Sequence, residues 1–398
     1  MSKPGLPQGT RDFGPETVYK RHFIFDTIRG IFELYGYEPL ETPAVENLET
    51  LLGKYGEEGD KLLFKILNNG LDHPSKKDSA TAAFGEILAG KTSRLITERA
   101  LRYDLTIPFA RYVATNHKTL NFPFKRYQLQ PVWRADRPQK GRYREFYQCD
   151  ADVVGSRSLL NEVEQTRIYL QVFKKLGLEV ELRINHRGIL AALADACGGQ
   201  EKLIAITTAI DKLDKIGPEK VKDELGEKGL SASQISIIQQ FLDIKGSNEE
   251  KLTELGILLS GEFHKNPANQ LNEPIRKGSA PKDADGPGHS LAAAVEEIRF
   301  LLNFFRHSPD AHNIIVDLSL ARGLNYYTGI IFEVRAKNVQ IGSIGGGGRY
   351  DNLTGLFGVP DIPGVGISFG VDRIYDAMEE LKLFPETVQR STEFLFFN

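Results

Sequence analysis

The sequence predicts an α+β protein in which a mainly antiparallel sheet, flanked by helices, is interrupted by an inserted, mainly helical domain. Two observations lead to this prediction. A chain of 398 residues is too long for one ordinary compact domain. Strand-like segments lie at 101–155 and again from 313 onward, whereas 187–307 contains charged, helix-like segments without strand alternation. One discontinuous domain with an insertion accounts for this order of segments.

The first predicted element is an amphipathic helix over residues 16–34. Ile24, Ile28 and Ile31 recur there at spacings of four and three residues, which gives the helix one apolar face. The segment 35–43 carries a glycine and two prolines, so it ends the helix and contains a short extended stretch.

The block 101–155 is rich in β-branched and aromatic residues at alternating positions, which predicts several strands. In a strand starting at Leu101, the side chains of Arg102, Asp104 and Thr106 would share one face. A carboxylate and a hydroxyl on one face could bind the ammonium group of a ligand. The polar outer face of an ordinary sheet would explain the same pattern.

Positive charge is concentrated between residues 125 and 144, where seven lysines and arginines stand against one aspartate in a protein of net charge −3. Guanidinium groups bind phosphate oxygens in bidentate fashion, so this loop suits a polyphosphate or an RNA end, and a solvated hairpin tip is the alternative. On the strand that returns from the loop, Gln148, Asp150 and Asp152 fall on one face. A carboxylate there could accept hydrogen bonds from a cationic or N–H-bearing substrate.

Residues 85–92 satisfy the GxxxxGK[ST] pattern of a phosphate-binding loop. That loop needs a buried strand before it, so that backbone N–H groups converge on the phosphates. The preceding residues 76–80 are polar and make a poor buried strand, and the Ile-Leu pair inside the pattern fits a helical turn. We therefore interpret the segment as a surface feature.

Toward the C-terminus, strand character at 313–339 is followed by a run of four glycines and by an apolar strand over 365–371. The glycines of that last strand permit close approach of neighbouring groups, and a helix is predicted to start at Asp372 and Arg373. Three arginines, Arg134, Arg322 and Arg373, thus lie at strand ends or strand-to-helix junctions in distant parts of the chain.

Composition excludes several classes of function. With 50 basic and 53 acidic residues, the chain is unlike proteins that coat nucleic acid non-specifically. Cys149 and Cys197 make neither a disulfide framework nor a CxxC zinc site, and the histidines lack metal-binding spacing, so no metal site is expected. No secretory segment or membrane-spanning stretch is visible, so a cytoplasmic location without membrane contact is expected.

Several of these segments resemble the signature motifs of class II aminoacyl-tRNA synthetases, and specifically of the histidyl-tRNA synthetase family. The resembling segments are 9–13 (N-terminal signature), 35–43 (motif 1), 124–155 (motif 2), 322–329 and 346–351 (histidine signatures) and 364–373 (motif 3). The resemblance implies a discontinuous catalytic domain at 1–186 and 311–385 and a helical insertion domain at 187–310. It also implies that 386–398 begin a truncated C-terminal anticodon-binding domain.

The resemblance further implies a histidine–tRNA ligase, which joins L-histidine to ATP with the help of Mg²⁺ and transfers it to the 3′ end of tRNA(His). A homodimer is expected because motif 1 forms the dimer interface of the family. The residues expected to bind histidine are Asp104, Leu105, Thr106, Arg134, Gln148, Asp152, Arg322, Tyr326, Tyr327 and Tyr350. Those expected to bind ATP are Arg134, Arg142 and Arg373, those expected to be catalytic are Arg134 and Arg322, and those expected to meet the tRNA acceptor end are Arg137 and Arg144.

Two other functions are open at this point. One is a non-catalytic, histidine-sensing regulatory subunit of ATP phosphoribosyltransferase, a protein built on the same fold. Such relatives tend to lose the motif arginines and tyrosines, whereas this chain keeps Arg134, Arg322 and Arg373. The other is a P-loop NTPase, which depends on residues 85–92 and has no convincing acidic partner strand.

Overall fold

The structure is a computed structural model that describes residues 4–55, 59–260, 290–321 and 326–389. Its helices are α1 Pro15–Leu34, α2 Leu48–Leu51, α3 Lys77–Leu88, α4 Thr106–Asn116, α5 Leu160–Lys175, α6 Arg187–Ala196, α7 Leu203–Ile210, α8 Leu213–Glu227, α9 Ala232–Asp243, α10 Asn248–Ser260, α11 Leu291–Phe305 and α12 Val371–Glu380. Its strands are β1 Glu38–Pro39, β2 Val45–Asn47, β3 Lys65–Ile66, β4 Arg99–Leu101, β5 Phe124–Trp133, β6 Glu145–Val154, β7 Val180–His186, β8 Ile314–Val316, β9 Ile330–Ala336, β10 Gly345–Tyr350 and β11 Gly364–Gly370.

The central sheet has eight strands in the described part of the chain, in the order β1-β5-β6-β11-β10-β9-β7-β8. The two outermost pairs, β1 with β5 and β7 with β8, are parallel, and every other pair is antiparallel. A small antiparallel sheet, β2-β4-β3, stands beside it. The predicted α+β class with a mainly antiparallel sheet is confirmed.

The back face of the central sheet is apolar and is covered by α1, α5 and α12. Ile24, Ile28 and Ile31 of α1 are buried as the helix periodicity predicts, and they join the same core as Cys149 and Ala151 of β6. Burying an aliphatic side chain of this size contributes about 1.5–3 kcal/mol relative to leaving it in water. This packing supports the sheet from behind and leaves its other face for polar groups.

The region predicted to be helical contains α6 to α11 and no strand among its described residues. Helix α11 packs on α6, β7 and β9, so these helices share the apolar core of the sheet. The boundaries 187–310 proposed for an insertion domain stay a prediction. The segment 266–290 is rich in proline, glycine, aspartate and lysine, a composition typical of a loop, and all of it except Ser290 lies outside the described residues. Ser290 caps α11 by accepting from the backbone N–H of Ala293 at 3.2 Å.

The prediction of a strand over residues 101–108 is wrong. Strand β4 ends at Leu101 and helix α4 begins at Thr106. The Asp104 carboxylate accepts from the backbone N–H of Ile107 at 3.1 Å, which satisfies a donor that the first turn of a helix leaves free. An aspartate followed by a proline in the first turn is a helix-start pattern, and it outweighs the alternation of polar residues.

The phosphate-binding-loop pattern does not have the geometry of such a loop. Residues 85–88 form the last turn of α3 rather than a strand-to-helix junction. Leu88 is 78% exposed at the end of that helix. The interpretation of 85–92 as a surface feature is therefore confirmed.

The run of four glycines forms strand β10, although glycine is disfavoured in strands. A Cβ on Gly347 would lie 2.1 Å from the carbonyl oxygen of Gly366 on the neighbouring strand β11. A Cβ on Gly366 would lie 1.9 Å from the Oδ1 atom of Asp152 on β6. Glycine is therefore required at both positions because a backbone or a carboxylate passes too close for any side chain.

Gly347→Ala should lower the free energy of unfolding by about 1–3 kcal/mol, because the added methyl group overlaps backbone that the sheet holds in place. Gly30→Ala is the matched control: Gly30 lies in α1 with nothing within 4 Å of its added Cβ, and this change should stabilise by about 0.5–1 kcal/mol. Urea unfolding measures both. Equal stability of the two variants would contradict the close approach.

Candidate functional site

The front face of the central sheet carries polar side chains in aligned rows, because alternate residues of each strand point to the same side. Arg126 of β5 lies opposite Asp152 of β6, which in turn lies opposite Gly366 of β11. The next row consists of Gln128, Asp150 and Ser368. Four of these side chains, those of Arg126, Gln128, Asp150 and Asp152, are almost completely buried. The strand register thus collects charge and amide groups at one place.

Asp152 is held by one ion pair and one hydrogen bond. The Nη2 atom of Arg126 lies 2.8 Å from Asp152 Oδ2, and the hydroxyl of Tyr350 donates to Asp152 Oδ1. Burial raises the pKa of Asp152, and the Arg126 guanidinium and the Tyr350 hydroxyl act in the opposite direction. The carboxylate is therefore fixed in orientation.

A second carboxylate, that of Asp104, comes from the turn before α4. The Tyr55 hydroxyl donates to its Oδ1 atom at 3.1 Å, and burial raises its pKa. Leu105 is buried beside it, and Thr106 hydrogen-bonds to the Tyr326 side chain. Asp104 and Thr106 therefore do approach the site, although from a helix start instead of the predicted strand.

Three tyrosines lie between the two carboxylates. The ring centroids of Tyr326 and Tyr327 are 4.8 Å apart, and those of Tyr326 and Tyr350 are 6.2 Å apart with the rings almost perpendicular. Burial raises the pKa of each of these phenols, so they act as hydrogen-bonding hydroxyls at neutral pH. They give the cluster aromatic walls.

Several buried acceptors in this cluster have no hydrogen-bond partner within the described ranges. They are Asp104 Oδ2, Gln128 Oε1, Gln148 Oε1 and Asp150 Oδ1. Leaving such a group unpaired costs about 1–3 kcal/mol, so a ligand rich in N–H donors would be bound favourably. The other end of the Gln148 amide is occupied, since its Nε2 atom donates to Ser368 Oγ at 2.9 Å.

The loop 134–144 brings Arg134 to the edge of the cluster, and Arg373 of α12 binds the same loop. Arg134 donates from Nε to the Tyr103 carbonyl at 3.1 Å, and its guanidinium lies over the Tyr103 ring at 4.2 Å from the centroid. Its charge also lowers the pKa of Asp104, so the two groups are near enough to interact. Arg373 of α12 donates to the carbonyls of Gly141 at 2.6 Å and Ser343 at 2.7 Å. It therefore attaches the loop to α12.

Arg137, Arg142 and Arg144 make none of the contacts of the cluster described above. Arg137 is exposed, Arg142 lies 3.7 Å from Asp136, and Arg144 donates from Nε to the Asp136 carbonyl at 3.1 Å. Arg322 lies outside the described residues. The structure therefore collects Asp104, Leu105, Thr106, Gln148, Asp152, Tyr326, Tyr327 and Tyr350 around one cluster, with Arg134 beside it.

Two features of the site were missed at the sequence level. Asp372, next to Arg373, pairs with Arg11 and with Arg21, the latter at 2.6 Å, and accepts from the backbone N–H of Tyr147 at 3.0 Å. The segment 9–13 thus contacts the start of α12, about 360 residues away in sequence. The other feature is Arg126. It lies two residues before Gln128 and four before Gln130, so the three side chains share one strand face, and this spacing is the pattern that could have revealed it.

Asp150→Asn should remove a pH dependence of stability. Burial raises the pKa of Asp150 from 3.8 to about 7, so the folded chain keeps the proton that the unfolded chain releases. Because the folded state binds more protons between these values, this residue's contribution to the free energy of unfolding falls as the pH rises through that range. Between pH 5 and pH 8 the wild type should lose about 2–3 kcal/mol more than the variant.

Urea unfolding at the two pH values measures this difference. Asp26→Asn, on the exposed face of α1, is the matched control and should keep the wild-type pH dependence. Identical pH dependence of Asp150→Asn and the wild type would show that Asp150 is already ionised at neutral pH.

Comparisons with known proteins show what this chain is similar to. A sequence profile described as histidyl-tRNA synthetase matches residues 77–276 and 279–374. The histidine–tRNA ligase of Christiangramia forsetii is 52% identical over the whole of this chain, which spans 81% of that relative's length. The crystal structure of histidyl-tRNA synthetase from Nostoc sp. PCC 7120 has a TM-score of 0.72 at 30% identity, over 97% of this chain and 77% of that one.

A further structure, from Bacillus halodurans C, is described as an ATP phosphoribosyltransferase regulatory subunit/histidyl-tRNA synthetase. Its TM-score is 0.70 at 21% identity, over 95% of this chain and 84% of that one, a likeness that shows the fold alone. Within the described residues, no helix combines the length and apolarity needed to cross a bilayer. On the profile match and the identity to its relatives, the chain belongs to the histidyl-tRNA synthetase family.

Proposed function

We propose that the chain is a histidine–tRNA ligase, which converts L-histidine and ATP to histidyl-adenylate and pyrophosphate and then esterifies the 3′ end of tRNA(His). The observation that carries this proposal is the group of buried acceptor oxygens on Asp104, Gln148 and Asp150, unpartnered among the described residues and flanked by tyrosines. An α-ammonium group and an imidazole N–H are the donors that would satisfy them. The half-identical relatives that bear this enzyme's name support the same reaction.

Each end of the amino acid has a matching partner in this proposal. Asp104 and Thr106 would bind the ammonium group, and Asp152 and Gln148 would accept from the imidazole. The rings of Tyr326, Tyr327 and Tyr350 would stand around the imidazole. A site of buried acceptors rejects analogues strongly, because an analogue without the N–H leaves a polar group unpaired.

The first step needs positioning and positive charge more than a base. The carboxylate of histidine is already ionised at pH 7, and its oxygen attacks the α-phosphorus while the bond to the pyrophosphate oxygen breaks. Negative charge builds on the phosphoryl oxygens, where Arg134, Arg142 and Arg373 would stabilise it. Arg322 would share the catalytic role with Arg134.

Mg²⁺ enters this proposal as the ion that the triphosphate carries and that screens its charge. The described residues contain no group of three or more His, Cys, Asp or Glu side chains that could hold a metal ion, so no step is assigned to a protein-bound metal. Arg137, which is exposed, and Arg144 would meet the tRNA acceptor end. A homodimer belongs to the proposal, because the segment 35–43 that resembles motif 1 supplies β1 at the edge of the described sheet. A cytoplasmic location completes it.

Histidine-dependent exchange of labelled pyrophosphate into ATP tests the proposal. Asp152→Ala should raise the KM for histidine about 10–100-fold with little change for ATP, because it removes a charged acceptor from the imidazole side. Arg373→Ala should raise the KM for ATP and leave that for histidine nearly unchanged.

Lys91→Ala is the matched control and should exchange like the wild type, because residues 85–88 end a surface helix. Folded wild-type protein without exchange would contradict the ligase and favour the regulatory alternative. ATP turnover without histidine that is lost in Lys91→Ala would favour an NTPase.

A further inference from the structure

Arg126 belongs to the basic segment 125–144 but is buried away from its loop. Its side chain is fully buried near the start of β5, and its guanidinium carbon lies 4.2 Å from the centroid of the Phe109 ring. Nη2 forms an ion pair with Asp152, at 2.8 Å from Oδ2, and none of the three guanidinium nitrogens makes a hydrogen bond of good geometry in the described part of the chain. The guanidinium is therefore committed to Asp152 rather than to a wider structural network.

The sheet itself does not need a charge at this position. Gln128 and Gln130 occupy the same face of β5 two and four residues further on, and both are neutral. Lys125, the adjacent residue on the other face, binds outside the site, with Nζ 2.7 Å from Glu164 and 2.9 Å from the Tyr35 carbonyl. A buried guanidinium carries a desolvation cost that a neutral residue would avoid, so its presence calls for a role beyond sheet formation.

We propose that Arg126 is a positioning residue for histidine recognition, which holds the Asp152 carboxylate as a charged and correctly turned acceptor for the imidazole N–H. With the Tyr350 hydroxyl on Oδ1 and Arg126 on Oδ2, rotation of the carboxylate would break one contact or the other. Each oxygen still has a lone pair for a ligand donor. This inference rests on the proposed histidine pocket and deepens it.

Arg126 is also the cation that balances the site. Among described residues, the titratable groups besides Arg126 that interact with Asp152 are Asp150 on its own strand, Tyr350 from β10, Tyr327 before β9 and Tyr37 before β1. None of these is cationic, β11 offers only Gly366, and α4 offers Phe109. Without Arg126, burial beside Asp150 would raise the pKa of Asp152 further, and its protonated form would be a poor acceptor for an N–H group.

The test measures pyrophosphate exchange against histidine and ATP concentration from pH 6 to pH 9. Arg126→Gln, which matches the other front-face residues of β5, should raise the KM for histidine at least about 10-fold at pH 7, with kcat and the KM for ATP within a few-fold. The ratio of its histidine KM to that of the wild type should fall as the pH rises, because Asp152 then ionises without help. Arg126→Lys should restore part of the affinity, and Lys125→Met is the matched control and should behave as the wild type.

Two comparisons separate positioning from a structural role. In an Asp152→Asn background, Arg126→Gln should add little to the histidine KM, because the group through which Arg126 acts is already neutral. Additive effects, equal rises in both KM values, or a histidine KM ratio independent of pH would overturn the inference. If Arg126→Gln does not unfold cooperatively, Arg126→Met takes its place. The effect of Arg126→Met on the histidine KM is then compared between the wild-type and the Asp152→Asn backgrounds. Wild-type protein without histidine-dependent exchange would instead contradict the proposed function.

Discussion

A carboxylate that is removed from water needs a partner, and this requirement shapes the centre of the molecule. Asp152 can be buried because β5 brings a guanidinium and β10 a phenol to its two oxygens, and because β11, which lies between β6 and β10, has no side chain where the carboxylate lies. All three conditions are set by strand register. A shift of one residue in any of these strands would turn the group to the other face of the sheet.

The apolar back of the sheet makes that register secure. Helices α1, α5 and α12 cover the apolar face of the sheet, to which β6 contributes Cys149 and Ala151. The polar residues of β6 alternate with these two and lie on the opposite face. One strand therefore serves both faces, since its apolar residues pack in the core and the residues between them line the polar cluster. Preorganised charges of this kind bind a ligand without first rearranging, which is what adenylation demands of a site that acts mainly by positioning.

The sequence predicts those parts of the molecule whose causes are local. The periodicity of α1, the polar face of β6 and the strand-to-helix junction at Asp372 were all visible, because a helix or a strand has its own repeat. The start of α4 was misread because three alternating polar residues fit a strand as well as a turn followed by a helix. The glycines of strand β10 have low strand propensity, and Gly347 is required there because the carbonyl of the neighbouring strand lies too close for a side chain. The pairing of Arg11 with Asp372 and of Arg126 with Asp152 depends on tertiary register, which a single sequence does not display.

The contact between Arg11 and Asp372 changes how the beginning of the chain should be regarded. Residues 4–14 form no helix or strand, yet they anchor the carboxylate next to Arg373, and Gly9 accepts from the backbone N–H of Arg144 at 2.9 Å. A protease that trims this stretch would spare the hydrophobic core while loosening the loop that we propose meets the nucleotide. Damage at the amino end would then appear as weakened ATP handling in a protein that still melts as one unit.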